Sequence, residues 1–436
     1  MQTDCFPGSI ASWPKGSVSE LAVVNPRYPM KKGSHYPFVE MASVGENFAG
    51  ILQVEARSLE GSGLSRFKVG DTLFAKITPC PQNGKIAFVA TLPGGVGLGS
   101  TEFIVLSPRP GTIPRFVYHL ACSHAVRGRA AARMEGSTGR QRVPEEVFTK
   151  RLVVPLPGVD EQAAIARILD AVDTALERTR AAVERARELR KSLLAELLSR
   201  GIGADGQVRR AHASVGDFMQ TPLGKLPAVW RLSAVAPEFD LQNGFTLNAD
   251  RRARFRRRRY LRVANVQREA LDLSDVQELE AGDAEFAPRV LQVDDLLVVE
   301  GHADRMRIGR CARVTAEASG MTFQNHLFRL RTNGAMVPAF ACLWLNSAYA
   351  QRYWNARCAT SSGLNTINQR MLKRLVIPVP SKAEQHTIAE LAQRQRQHVA
   401  ALVAKQVRIE ALKKSLMHDL LTGRVRVGDA SKVTAS

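Results

Sequence analysis

At 436 residues, with 45% hydrophobic content, the chain is long enough for two or three domains with sizeable cores. Its 61 Lys and Arg against 41 Asp and Glu leave a net charge of +20, which points to a polyanion, nucleic acid first, as partner. A membrane fits less well, because no apolar run reaches about 18 residues, and the opening MQTDCFPGSIASWPKG lacks the n- and h-regions of a signal peptide, so a cytoplasmic protein is expected.

The first segment, 1–157, reads as a mixed α and β domain. Phe38 to Val44 (FVEMASV) and a hydrophobic stretch with Val69, Asp71 and Leu73 are followed by strand-like Lys85 to Thr91 and Glu102 to Leu106. Helical spacing of apolar residues predicts a helix over Phe116 to Ala132. A Gly/Ser turn, GSTGRQRV at Gly136 to Val143, precedes the motif KRLVVPLP at Lys150 to Pro157. Over 158–200, Leu169, Val172, Leu176, Thr179, Val183, Ala186, Arg190, Leu193 and Leu197 alternate spacings of three and four, the a/d seam of a long helix. The Gly-rich, polar stretch 201–222 reads as a linker.

The second half, 223–380, repeats the first about 223 positions later. After PLGKLPAVW (Pro222 to Trp230), YLRVANV at Tyr260 to Val266 answers FVEMASV. Val293, Asp295 and Leu297 answer Val69, Asp71 and Leu73, and the strand-like runs are Val290 to Val299 and Leu327 to Arg331. A helix is predicted over Ala339 to Ala350, and SSGLNTIN (Ser361 to Asn368) and KRLVIPVP (Lys373 to Pro380) complete the match. The second long helix, 381–424, places Ala392, Gln395, Val399, Leu402, Gln406, Ile409, Lys413, Leu416 and Leu420 on the equivalent seam; the tail, 425–436, is expected to fray. A period this long marks a duplicated domain, since solenoid units run to about 20–50 residues. The expected fold class is α+β: two similar domains joined by two long helices that pair antiparallel as a spacer. A helix of about 39 residues is roughly 58 Å long, more than one turn of duplex DNA at about 34–36 Å. On the helices alone, a plain interaction coiled coil in a basic scaffold without sequence specificity fits equally well.

Taken in order, these motifs resemble the DNA-specificity subunit of type I restriction-modification systems over about residues 18 to 424. The residues that carry the resemblance are the PLGKLPAVW opening, the paired Asp-x-Leu motifs, the two Gly/Ser turns, the two KRLV-x-P-x-P motifs, the Glu161-Gln162 and Glu384-Gln385 helix starts, and the helix ends LLAELLSRG and LMHDLLTGR. The resemblance implies two target recognition domains, each reading one part of a bipartite double-stranded DNA site, with the helices setting the gap. It also implies no catalytic activity and no cofactor in this chain. The implied partners are two adenine-methyltransferase subunits that use S-adenosylmethionine, and restriction subunits that use ATP and Mg to translocate and cut DNA.

Lys and Arg supply affinity through phosphates, and Arg, Asn and Gln make bidentate base contacts. The candidate DNA contacts are Lys76, Lys85, Arg133, Arg140, Gln141 and Arg142 in the first domain. In the second they are Arg305, Arg307, Arg310, Asn365, Thr366 and Asn368, with Arg256, Arg257, Arg258 and Arg259 adding charge. The run RRARFRRRR at Arg251 to Arg259 has no counterpart in the first half, and a flexible basic loop that binds nucleic acid non-specifically is one reading of it.

Other chemistry is not supported. Asn25-Pro26-Arg27-Tyr28 resembles a methyltransferase motif, but no glycine-rich strand-to-helix turn precedes it, and a plain turn is expected. Asp294, Asp295 and Glu300 lack the nearby lysine of a nuclease, and Asp71 and Asp295 are expected in turns that open strands. Six scattered cysteines without metal-ligand spacing read as buried fillers, and no metal is implied.

Overall fold

The structure is a computed structural model that describes residues 3–6, 13–61, 63–137, 139–210, 216–248, 251–253, 255–361 and 363–427. One residue of each Gly/Ser turn (138 and 362), position 254 of the Arg run and the tail beyond 427 lie outside the described residues. The chain forms two compact units: Met1–Ala182 with Val403–Ser436, and Val183–Leu402. Each unit holds one globule and a part of both long helices, Val159–Arg200 and Lys382–Leu421.

The duplication is physical. In unit 1 an antiparallel sheet runs in the order Ala22–Val24, Phe103–Pro108, Thr72–Ala75, Ile86–Phe88. In unit 2 the order is Phe239–Asn243, Leu327–Thr332, Leu296–Val299, Cys311–Arg313. Beside each sheet a second one contains a parallel pair, Phe38 opposite Leu98 in unit 1 and Tyr260 opposite Thr322 in unit 2, so FVEMASV and YLRVANV begin alike. The KRLV motifs become the strands Leu152–Pro155 and Val376–Val379, and both pair with the opening segment of their domain in the same register: Val153 faces Ser17, and Val376 faces Ala234. Each motif therefore hands the chain from the sheet to a long helix.

Asp71 and Asp295 close the turns expected of them, accepting from Lys68 N at 2.9 Å and Gln292 N at 2.8 Å. Asn25 has φ 50°, and its Oδ1 accepts from Val105 N at 2.9 Å, so the Asn-Pro-Arg-Tyr stretch is a structural turn. Three expectations change. Each short helix breaks in two, Pro114–Cys122 then His124–Ala131, and Pro338–Leu345 then Ala348–Arg357. The cause is Ser123 and Ser347, whose hydroxyls cap the second piece by accepting from Val126 N and Ala350 N. The strand expected over 290–299 is confined to Leu296–Val299, because Asp294 at φ 74° turns the chain. The stretch read as a linker is partly built into unit 2: Phe218–Thr221 pairs with Gly224–Pro227, and Ile202 bridges Val208.

Each core recruits the end of the other domain's helix. In unit 2, Leu197 and Leu198 pack with Trp230, Leu296, Phe340, Trp344, Ile388 and Ala392. In unit 1, Leu420 and Leu421 pack with Phe74, Ile104, Phe116, Phe148, Ile165 and Leu169. This explains the matching leucines that close both helices: each buried Leu stabilises by about 1.5–3 kcal/mol. Both helices then stop at a left-handed glycine, Gly201 (φ 62°) or Gly423 (φ 70°).

Within unit 1 the helix segments run antiparallel, as the ion pairs Asp173 with Lys413 (2.5 Å) and Arg180 with Glu410 (2.9 Å) require. Leu169, Leu176 and Leu420 on their seam are buried, with Val172, Ile409 and Leu416 half-buried. In unit 2 Val183 and Leu197 are buried, while Leu193, Val399 and Leu402 are half-buried. The charged seam positions are satisfied differently. Lys413 pairs with Asp173 on the facing helix, and Arg190 reaches Glu269 on a loop of its globule at 2.6 Å.

Candidate nucleic-acid interface

Two backbone hydrogen bonds build the same corner in both units. In unit 1, Lys76 N donates to Glu102 O and Val143 N donates to Lys76 O, both at 2.9 Å. In unit 2, Glu300 N donates to His326 O at 3.0 Å and Ile367 N donates to Glu300 O at 2.9 Å. The corner joins the loop after a central strand to the Gly/Ser turn, two segments far apart in sequence. Loops carried on a rigid sheet suit a recognition surface.

The side chains at the equivalent positions differ in kind. Unit 1 presents Lys76, and Arg142 grips Glu102 with its Nη2 at 2.7 Å and its Nε at 2.9 Å. Unit 2 presents Glu300 against His326 Nδ1 at 3.0 Å. The Arg142 and Glu102 side chains are 46% and 21% exposed. An exposed ion pair contributes about 0–1 kcal/mol, so exchanging it for a base or phosphate costs little.

Around the unit 1 corner, Thr78 N donates to Gln141 O at 2.9 Å, which brings Gln141 beside Lys76, and Arg140 is exposed on the turn. Lys85 and Arg133 are half-buried; Lys85 Nζ donates to Met41 O at 3.4 Å and Arg133 Nη1 to Arg129 O at 3.0 Å. In unit 2, Arg305 and Arg307 are exposed on a short 3-10 turn, Arg305–Arg307. Thr366 lies opposite Gly301 in the strand pair beneath them.

Several candidates have structural duties instead. Arg310 is only 4% exposed. Its guanidinium donates to the carbonyls of Val266, Arg307 and Val263, so it braces loops and is not on the surface. Asn365 is 7% exposed, donates to Ala303 O at 2.8 Å and accepts from Arg305 Nε at 3.2 Å, so it shapes the turn that presents Arg305. Asn368 caps the helix Gln369–Arg374 by accepting from Met371 N at 2.9 Å. The end of the Arg run is not a loose loop: Arg257–Leu261 is a strand paired with Gln277–Glu280. Glu278 and Asp283 engage Arg257 and Arg258, while Arg256 and Arg259 are exposed and form no ion pair with a described residue.

A second duplicated constellation escaped sequence reasoning. Glu161, at the start of the first long helix, accepts from Trp13 Nε1 at 2.9 Å and from Arg426 at 2.5 and 2.8 Å. Glu384, at the start of the second, accepts from Trp230 Nε1 at 3.1 Å, from Arg209 at 2.5 and 3.1 Å, and from Ile202 N at 2.8 Å. The neighbouring glutamines act alike: Gln162 accepts from Ile113 N and Gln385 from Val337 N. Each clamp ties an opening Trp to an Arg that follows the other long helix. The repeated Val-Arg at Val208-Arg209 and Val425-Arg426 was the available signal.

Among the described residues, His119, Asp170 and Asp173 could in geometry hold a metal. Their carboxylates already pair with Arg115 and Lys413, which leaves no charge for an ion to neutralise. Burial pushes the Cys122 thiol up to about 12, in keeping with an unreactive filler. No helix among the described residues is long and apolar enough to cross a membrane.

Comparison with known proteins gives a consistent picture, although no family model matches. The chain is 31% identical over 158 residues to the EcoEI type I restriction enzyme specificity subunit of Escherichia coli, a match covering 35% of this chain and 26% of that protein. It is 21% identical over 413 residues to the putative MjaX type I restriction enzyme specificity subunit of Methanocaldococcus jannaschii, covering 90% of this chain and 88% of the relative. The match to the EcoEI and EcoAI subunits thus spans about a quarter of their length. A chain from a type I R-M system, solved for its complex assembly and conformational transition, superposes with a TM-score of 0.58 at 17% identity, covering 96% of this chain and 99% of that one. The type I restriction-modification S subunit of M. genitalium gives 0.54 at 15% identity, covering 95% and 97%. In sequence the chain is a relative of the type I restriction enzyme specificity subunits, and it has the fold of solved S subunits.

Proposed function

We propose that this chain is the non-catalytic DNA-specificity subunit of a type I restriction-modification complex, in which each globule reads one part of a bipartite DNA target and the long helices set the gap. The observation that carries this reading is the duplicated corner. The same backbone hydrogen bonds present Lys76, Glu102 and Arg142 in one unit and Glu300, His326 and Thr366 in the other. One scaffold with two side-chain sets suits two different half-sites, because base edges are distinguished by donor and acceptor pattern. The net charge of +20 suits the phosphate contacts that supply affinity. Two adenine-methyltransferase subunits dock on the helices and use S-adenosylmethionine, and restriction subunits, where present, supply ATP- and Mg-dependent cutting.

The test is co-expression of the chain with the adenine-methyltransferase subunit encoded nearest to it, followed by mapping of N6-methyladenine across the host DNA. A split motif, two short blocks around a fixed gap that disappears when the chain is omitted, is expected. No motif, from a soluble and associated pair, refutes the specificity role and leaves a sequence-independent scaffold.

A further inference from the structure

Among the described residues, the most exposed large apolar side chain in unit 2 is Phe255, at 92%. It lies inside the Arg-rich segment, a place that solvation alone does not favour. Its presentation is built. Glu280 accepts from Phe255 N at 3.0 Å with one carboxylate oxygen and from Arg256 N at 2.7 Å with the other, so a single side chain fixes the backbone on which the ring stands. Residues on both sides of the phenylalanine in sequence, Arg252, Arg257 and Arg259, line an open hollow of about 430 Å³ that contains one carboxylate, Glu278. Arg252 and Arg259 form no ion pair with a described residue, and the Arg257 side chain is 62% exposed.

An exposed aromatic ring within the arginine segment that lines the hollow matches the chemistry of a nucleotide: a flat apolar base and an anionic phosphate. The hollow is lined by three arginines, of which Arg257 pairs with Glu278 at 2.8 Å, together with Ala253, Val276 and Gln277, so its net charge suits an anion. We propose that the Phe255 ring stacks on a base of the DNA bound by unit 2, wedging into a base step while a neighbouring phosphate sits among Arg252, Arg257 and Arg259. Apolar wedges of this kind unstack a step and kink the duplex, and the extra contact to the bent DNA offsets the unstacking. The first half of the chain has no matching Arg run, so the distortion belongs to the half-site read by unit 2. This inference rests on the DNA-reading role above.

The experiment compares the full chain with its Phe255→Ala, Phe255→Trp and Arg257→Gln/Arg259→Gln variants. The probes are a duplex with the mapped target, with 2-aminopurine placed in turn across each half-site, and a random duplex of equal length. Loss of a stacked aromatic weakens binding by about 5- to 100-fold, so F255A binds the target that much more weakly at an unchanged salt slope. One 2-aminopurine in a single half-site is bright with the wild type and dim with F255A, and F255W restores the affinity. The double Arg variant flattens the salt slope by about one to two. Unchanged affinity and unchanged 2-aminopurine emission in F255A overturn the proposal. If F255A instead loses methyltransferase subunits in a pull-down while DNA binding is intact, the ring serves a protein partner and the proposal is also overturned. A wild type that binds target and random duplex equally refutes the specificity reading; the F255A comparison on the random duplex then decides the wedge by itself.

Discussion

Replacing Glu384 by Ala dismantles the better buried of the two clamps. The Glu384 side chain is 9% exposed and that of Arg209 is 20% exposed. Removing the carboxylate strands the Arg209 cation, the Trp230 indole N–H and the Ile202 amide, all of which donate to it. Breaking a buried pair from one side costs about 3–5 kcal/mol; Arg209 can rehydrate in part, so about 3 kcal/mol is expected for E384A. The equivalent Glu161 faces Arg426, whose side chain is 42% exposed, and solvent screening should reduce the E161A cost to about 1–2 kcal/mol. Urea unfolding followed by tryptophan emission suits the test, because Trp230, Trp344 and Trp354, three of the four tryptophans, are buried in unit 2. For a unit of this size about 3 kcal/mol lowers Tm by roughly 6–12 °C. An E384A loss below about 1 kcal/mol, or one equal to that of E161A, would refute the reasoning.

Gly201→Ala should mimic much of that loss, since a Cβ there would lie 2.1 Å from Glu384 Oε1 and 2.4 Å from Trp230 Cζ2 at φ 62°; calorimetry that finds no change in unit 2 contradicts the cradle. Unit 1 should weaken on acidification. Burial holds the His119 imidazole below its ordinary pKa, so the unfolded chain protonates first, and this stability is complete above about pH 6.5 and lost as pH falls further. Burial also pushes Asp170 up, but hydrogen bonds from His119 and Arg115 outweigh it and hold the carboxyl at about 2; its contribution is present above about pH 3.8 and lost as pH falls through about 2. His119→Gln should therefore flatten the stability profile between pH 5 and 7, and an unchanged slope counts against the assignment. Leu420→Asp places a charge in the unit 1 core at 2% exposure, where several kcal/mol of destabilisation are expected, and unchanged urea unfolding would show that the helix end is not part of that core. Arg307→Gln should weaken DNA binding evenly across sequences and lower the salt slope by about one; a change in preferred sequence instead would make Arg307 a base reader.

The features legible in the sequence were those fixed by local pattern or repetition. The seam from Leu169 to Leu197 appeared because apolar residues at three- and four-residue spacing have to face a partner, and the paired motifs KRLVVPLP and KRLVIPVP marked equivalent strands. Asp71 and Asp295 were readable because a short carboxylate bonds its own turn. Helix interruptions at Ser123 and Ser347 were not, since apolar periodicity continues across a cap. Nor could charge alone separate a surface arginine from a brace. Arg307 and Arg310 are three residues apart, yet one is exposed and the other is spent on carbonyls of a loop more than 40 positions away. The corner partners Glu102 and His326 were missed for a similar reason, because only sheet pairing brings them to Lys76 and Glu300. The two clamps needed the tertiary fold, although their Trp, Glu and Arg each recur in both halves.

The central claim is that the two corners read separate halves of one target. The most direct measurement is methylome mapping, in the methyltransferase-bearing host, of a chain carrying Lys76→Gln, Glu102→Gln and Arg142→Gln together. The account predicts a split motif whose gap and one block match the wild type, with only the other block relaxed or altered. A motif altered in both blocks, or one unchanged in both, would contradict it.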